Sequence, residues 1–134
     1  MSIDPKSAPD ADYASYPSLA GRNVLITGGA GGIGSGIVEE FAKQGSRVAF
    51  IDILIEEAAE TIARCEALGV DHAPVFVEAD LLDIPKVQAA IAAVISDFGS
   101  IEVLVDNAAN DDRHTWEEVT PEYWDDRLNT NLRH

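Results

Sequence analysis

The residues best suited to chemistry form one run, Thr27-Gly28-Gly29-Ala30-Gly31-Gly32-Ile33-Gly34. It follows the apolar residues Val24-Leu25-Ile26 and opens a helical pattern. A strand, a glycine-dense turn and a helix start, in that order, make a phosphate cradle. Glycine has no Cβ, so such a turn can take positive φ and let a ligand approach the backbone. The helix then aims free N–H groups and the positive end of its dipole at the anion. Asp52 follows the second apolar run, 24 residues beyond Gly28. A carboxylate there can accept hydrogen bonds from both hydroxyls of an adenosine ribose. It would repel a 2′-phosphate, and neither Gly31 nor Ile53 supplies a cation, so NAD is expected over NADP. Asp80 follows the third run, within reach of an adenine amino group, and Asp106-Asn107-Ala108-Ala109 follows the fourth. For Asp52 and Asp80, plain capping of the next helix is the competing reading.

The elements that would position these groups alternate regularly. Strands are expected over Asn23–Thr27, Arg47–Ile51, Val75–Ala79 and Ile101–Asp106. Between them lie helical patterns. Gly32–Gln44 carries Ile33, Ile37, Val38 and Phe41 on one face; Leu54–Leu68 carries Ile55, Ala58, Ile62 and Cys65; and Pro85–Phe98 carries Val87, Ile91, Val94, Ile95 and Phe98. Gly45, Gly69 and Gly99 stop them. The strands are nearly continuous apolar runs, as expected when helices cover both faces. The alternation predicts an α/β fold: a doubly wound parallel sheet of the Rossmann type with right-handed crossovers, cut short after the fourth strand and part of the next helix. Thr120-Pro121-Glu122 opens that last helix, with Trp124, Leu128 and Leu132 at i, i+4 and i+8. Residues 1–17, with Pro5, Pro9 and Pro17 and little apolar pattern, read as a flexible tail before a dinucleotide-binding domain over 18–134.

Composition narrows the function. The chain has 134 residues, 46% of them hydrophobic, which suits one globular domain or part of one. Nine basic against 24 acidic residues leave a net charge of −15. That speaks against nucleic acid and anionic membrane surfaces as partners, since both need a basic face. It does not speak against a dinucleotide held by backbone N–H groups. Cys65 is the single cysteine, which suits a reducing compartment, so a cytoplasmic location is expected. No apolar run is long enough to span a bilayer, no secretory signal pattern opens the chain, and no His or Cys cluster has metal spacing.

Together these motifs resemble the short-chain dehydrogenase/reductase family over about residues 18–134. The family's Thr-Gly-x-x-x-Gly-x-Gly matches Thr27-Gly28…Gly32-Ile33-Gly34. Its Asp-Leu after the third strand is similar to Asp80-Leu81, and its Asn-Asn-Ala-Gly to Asp106-Asn107-Ala108-Ala109. Its active-site asparagine, in Trp-Asp-x-x-x-x-x-Asn-Leu, falls on Asn131. The resemblance implies a nicotinamide over Ile33 and the strand-four end. It implies cofactor contacts at Gly28, Gly31, Gly32, Ile33, Gly34, Asp52, Ile53, Asp80, Leu81, Asn107, Ala108 and Ala109, and a supporting role for Asn131. Two departures stand out. Asp106 replaces an asparagine whose amide is expected to tie neighbouring strands, a bond an ionised carboxylate cannot donate. Ala109 replaces a glycine beside the nicotinamide ribose, and would weaken the site if that position needed positive φ or close backbone approach.

The family's tyrosine, the lysine four residues later and the serine all lie beyond the Asn131 segment. The lysines here are Lys6, Lys43 and Lys86, preceded four residues earlier by Ser2, Glu39 and Leu82, so no Tyr-x-x-x-Lys exists. Tyr123 and Arg127 share that spacing, but arginine is no substitute. The loop Asn110-Asp111-Asp112-Arg113-His114 should border the nicotinamide, and its polar groups suit a hydroxylated ligand, with Asn110, Asp111 and His114 as candidates. A solvated acidic turn with an Asp–Arg pair is the competing reading. The loop and the segment from Tyr123 to His134 are similar to bacterial D-xylose or L-arabinose 1-dehydrogenases of this family. The expectation is therefore NAD-dependent oxidation of a sugar or polyol by a homo-oligomeric enzyme, with this chain inactive alone. The alternative is a catalytically inactive dinucleotide-binding or interaction module. A bare fourth-strand edge predicts self-association, or disorder after about Asn110.

Overall fold

Four parallel strands, β1 (Asn23–Thr27), β2 (Arg47–Asp52), β3 (Val75–Glu78) and β4 (Val103–Asp106), lie in the order β3-β2-β1-β4. The structure is a computed structural model that describes residues 14–133. The chain runs outward from β1 to β3, then crosses back to place β4 on the other side of β1. The order therefore reverses between β1 and β4, and a crevice opens at their carboxyl ends. Register there is fixed: Thr27 pairs with Asp106 on one side and with Ile51 on the other.

Four helices accompany the sheet: α1 (Gly32–Lys43), α2 (Ile55–Ala67), α3 (Ile84–Phe98) and α4 (Pro121–Leu132). Strand residues alternate between two cores. Val24, Ile26, Val48 and Phe50 pack with Val38 and Ala42 of α1 and with Ala58 and Cys65 of α2. Leu25, Ala49 and Ile51 pack with Ala90, Val94 and Phe98 of α3 on the opposite face. Cys65 is a core residue, and burial pushes its thiol pKa up. The doubly wound architecture is as expected, with element ends shifted by up to two residues. β4 begins at Val103 rather than Ile101, because Asn23 draws the preceding turn in through Nδ2 bonds to the carbonyls of Phe98 and Ser100.

The expected helix faces need correction at three positions. Ile33 is 80% exposed, Ile55 55% and Ile95 46%. Ile33 and Ile55 sit in first turns that overhang the sheet's carboxyl end, beyond the core. Small residues, Gly34, Ser35, Ala42, Thr61 and Ala90, take the inward places and let the helices approach closely.

Of the expected flexible tail, residues 1–13 lie outside the described residues. Its end is held: Pro17–Leu19 form a 3-10 turn, the Tyr16 amide donates to Gln44 Oε1 at 2.8 Å, and the Ser46 hydroxyl donates to the Leu19 carbonyl at 2.8 Å. The segment after Asn110 is helical over α4, but Trp124, Leu128 and Leu132 stay exposed. No helix among the described residues is long and apolar enough to cross a membrane.

Candidate functional site at the β1–β4 crevice

The glycines of the turn after β1 divide into two kinds. Gly28 has φ of 69°, and a Cβ there would lie 2.8 Å from Ala108 Cα. A Cβ on Gly34 would lie 1.8 Å from the Gly28 carbonyl oxygen. These are glycines because the protein's own backbone fills the space. Gly31 and Gly32 have nothing within 4 Å of a built Cβ. They form the open lip of the turn, where α1 starts without a side-chain cap, so its first N–H groups face outward unpaired by the helix. The exposed Ile33 stands beside them. That is the arrangement an anionic ligand requires.

Asp52, at the end of β2, clamps this turn. Its Oδ2 accepts from the Ala30 amide at 2.9 Å, and its Oδ1 accepts from the amides of Ile53 (2.7 Å) and Leu54 (3.1 Å). The carboxylate thus ties the glycine turn to the residues just before α2, whose first turn has no side-chain cap. Thr61 of α2 completes the clamp by donating to the Ala30 carbonyl at 2.8 Å. Asp80 is exposed, and its Oδ1 accepts from the Leu82 amide at 2.9 Å. With Leu81 and Pro85 it faces Asp126 and Asn129 of α4 across a cavity of about 610 Å³.

The end of β4 corrects one expectation. The amide that ties the strands belongs to Asn107: its Nδ2 donates to the carbonyls of Thr27 (3.2 Å) and Gly28 (2.9 Å). Thr27 Oγ1 accepts from the backbone amides of Asn107 (3.1 Å) and Ala108 (3.2 Å). Asp106 is exposed at the strand end, so the carboxylate there interrupts no tie. Ala109 does not have positive φ, so alanine is not strained there.

Asn131 is consumed by the loop it faces. Its Oδ1 accepts from the Asn110 amide at 2.8 Å, and its Nδ2 donates to the Asn110 carbonyl at 3.1 Å. The side chain therefore locks α4 to the strand-four loop. Asp112 pairs with Arg127 of α4, at 3.9 Å. His114 Nδ1 lies 2.6 Å from Tyr123 Oη, and Arg127 lies over the Tyr123 ring at 4.8 Å. A capping box that sequence reading passed over, Thr115 with Glu118, builds a 3-10 turn at Trp116–Glu118. The structure thus joins Gly28, Asn107 and Ala108, and joins Asn110 to Asn131. Asp111 and His114 bond to none of them. Thr61 is a contributor that motif spacing did not single out, and the spacing of Tyr123 and Arg127 did not announce the contact with His114.

The family model for short chain dehydrogenases matches residues 22–133. The chain belongs to the short-chain dehydrogenase family. It is 48% identical over 121 residues to "Probable galactose dehydrogenase GalD" of Rhizobium meliloti, covering 89% of this chain and 46% of that protein. It is 47% identical over 121 residues to the D-xylose 1-dehydrogenase of Caulobacter vibrioides, covering 90% and 46%. Among solved structures, an actinorhodin polyketide ketoreductase with NADPH aligns with a TM-score of 0.77 at 28% identity, covering 90% of this chain and 44% of that one. A 3-ketoacyl-(acyl-carrier-protein) reductase of Brucella melitensis complexed with NADH aligns with a TM-score of 0.74 at 32% identity, covering 86% and 46%. The chain spans about half the length of the relatives it matches. Short-chain dehydrogenases use nicotinamide dinucleotides, and the open lip at Gly31 and Gly32 fits the phosphates of that class.

Proposed function

We propose that this chain forms the cofactor-holding part of an NAD-dependent sugar or polyol dehydrogenase. The observation that carries the reading is the Asp52 clamp: a carboxylate bonded to the phosphate turn through the Ala30 amide and placed at the end of β2. In this reading Gly31, Gly32, Ile33 and Gly34 offer the start of α1 to the pyrophosphate, with Gly28 shaping the turn. Asp52 and Ile53 receive the adenosine ribose, and Asp80 and Leu81 the adenine. Asn107, Ala108 and Ala109 border the nicotinamide side, where bound NAD supplies the hydride acceptor. Asn131 acts through Asn110, by fixing the loop that also carries Asp111 and His114 toward the substrate.

The carboxylate of Asp52 favours NAD over NADP, because a 2′-phosphate beside it meets like charge with no cation at Gly31 or Ile53. The sugar or polyol substrate follows from the names of the relatives together with the polar strand-four loop. The uncovered Trp124, Leu128 and Leu132 of α4 favour a homo-oligomer, and the single buried Cys65 a cytoplasmic enzyme. Calorimetry of the chain with NAD and with NADP tests the cofactor reading. NAD should bind the more tightly, and Asp52→Asn should narrow the gap by about tenfold. Equal affinities, or no heat from NAD, would count against it.

A further inference from the structure

A small hollow of about 190 Å³, lined by His114, Thr115, Trp116 and Val119, lies beyond the strand-four loop. We propose that it is a monosaccharide subsite, with Trp116 as its apolar platform and His114 Nε2–H as its directing donor. The inference rests on the sugar reading above and adds Trp116, with a defined role for His114, to the polar loop already assigned to that substrate.

The hollow is smaller than the roughly 300–1,000 Å³ of drug-sized ligand sites, and so takes a single ring rather than a dinucleotide. Trp116 is 92% exposed, so its indole face is available. A pyranose carries C–H groups on its faces and hydroxyls around its rim. The indole can take the face by apolar contact, and the rim then needs a polar group of fixed orientation. Thr115 and Glu118 cannot supply it. The Thr115 amide donates to Glu118 Oε2 at 2.6 Å, and the Thr115 hydroxyl accepts in return within the capping box. His114 is the polar side chain left on the wall.

His114 also has a fixed neighbour at Nδ1. Tyr123 Oη lies 2.6 Å from Nδ1, and the rings tilt at 57° with centroids 4.2 Å apart. The Arg127 guanidinium lies over the Tyr123 ring and holds the phenol in place. Arg127 is held there at a cost: its Nε and Nη1 are buried without partners. The one competitor for Nδ1 is the Asp112 carbonyl, at the longer distance of 3.3 Å. In the proposed arrangement Nδ1 accepts from the Tyr123 hydroxyl, the shorter of its two contacts, which places the proton on Nε2. Tyr123 and Arg127, at i and i+4 on α4, are positioning residues for this donor.

The test is NMR of the chain labelled at histidine nitrogens and tryptophan indole, titrated with D-xylose and with D-galactose in turn. At pH above the imidazole range His114 should show the Nε2–H tautomer, and Tyr123→Phe should abolish that preference. Either sugar should shift the Trp116 and His114 resonances, leaving those of Trp124 in place. Trp116→Ala should weaken sugar affinity about three- to tenfold, and His114→Ala about fivefold. Absence of a sugar shift, or a shift that survives Trp116→Ala and His114→Ala, would overturn the subsite. An Nδ1–H tautomer would overturn the donor assignment. Trp116 shifts that follow chain concentration rather than sugar would assign Trp116 to contact between copies and overturn the proposal. A thermal shift with each sugar on the same sample reports separately on whether the chain binds sugar at all, so failure of the sugar reading and failure of this place for it are distinguishable.

Discussion

On the β1 side of the crevice, the turn from Gly28 to Gly34 is fixed by its own backbone and by two buried or half-buried side chains, Asp52 and Thr61. On the β4 side, the segment from Asn110 to His114 is held by the side chains of Asn131, Arg127 and Tyr123, from a helix whose apolar stripe is uncovered. The first region tolerates little change of shape at Gly28, Gly29 and Gly34, where an added atom meets the Ala108 backbone, the Phe50 side chain and the Gly28 carbonyl, and stays open only at the lip of Gly31 and Gly32. The second can be loosened one bond at a time. In the proposed reading, a site built this way keeps the phosphate end rigid and leaves the substrate end adjustable. That matches a family which holds one kind of cofactor and serves many substrates.

The largest effect should come from adding one methyl to the rigid side. Gly34→Ala puts a Cβ 1.8 Å from the Gly28 carbonyl and should cost about 3 kcal/mol or more in urea denaturation. Gly36→Ala, two residues on and open on all sides, should stabilise by about 0.5–1 kcal/mol. If both cost the same, the turn is not fixed as described. Next, Asn107→Ala leaves two carbonyls without their donor and should cost about 1–3 kcal/mol. Asp106→Asn should stay within about 0.5 kcal/mol, since that position ties nothing. The reverse ranking would restore the tie to position 106.

On the looser side, Asn131→Ala should cost only about 1 kcal/mol overall. Hydrogen exchange at residues 110–115 should nonetheless quicken by about tenfold while β1 and β2 stay protected. Uniform acceleration across the sheet would erase the contrast between the two sides. The smallest effect concerns acid. Glu118 is held below the usual carboxylate range, first by the Thr115 amide and then by the Thr115 hydroxyl. Its charged form favours the folded turn, so this contribution is present above the ordinary glutamate range and fades as pH falls through the depressed value. Resonances of residues 115–118 should move with that titration, and Glu118→Gln should remove the movement.

The sheet and its helices were legible in the sequence because apolar runs alternate with helical periodicity and glycines mark the ends. The β1 side of the site was legible for the same reason: its groups are local in sequence, from Thr27 to Gly34, with Asp52 at a strand end. The β4 side was not. Nothing in the spacing announces that Asn131 bonds Asn110, or that Asn107 rather than position 106 carries the tie, since both depend on contacts across 21 to 80 residues. The burial of α1 was misjudged at Ile33 because periodicity cannot tell where a helix overhangs the sheet. The Thr115–Glu118 turn did carry a local signal, the Thr-x-x-Glu spacing of a capping box, which the acidic run around it obscured.

The most direct test of the central claim is a residue-resolved titration of the nitrogen-15-labelled chain with NAD. The claim that the crevice between β1 and β4 holds the dinucleotide predicts amide shifts concentrated at Gly28–Gly34, Asp52–Ile53, Asp80–Leu81 and Asn107–Asn110. Shifts elsewhere on the sheet, or none at NAD concentrations that saturate other short-chain dehydrogenases, would contradict it.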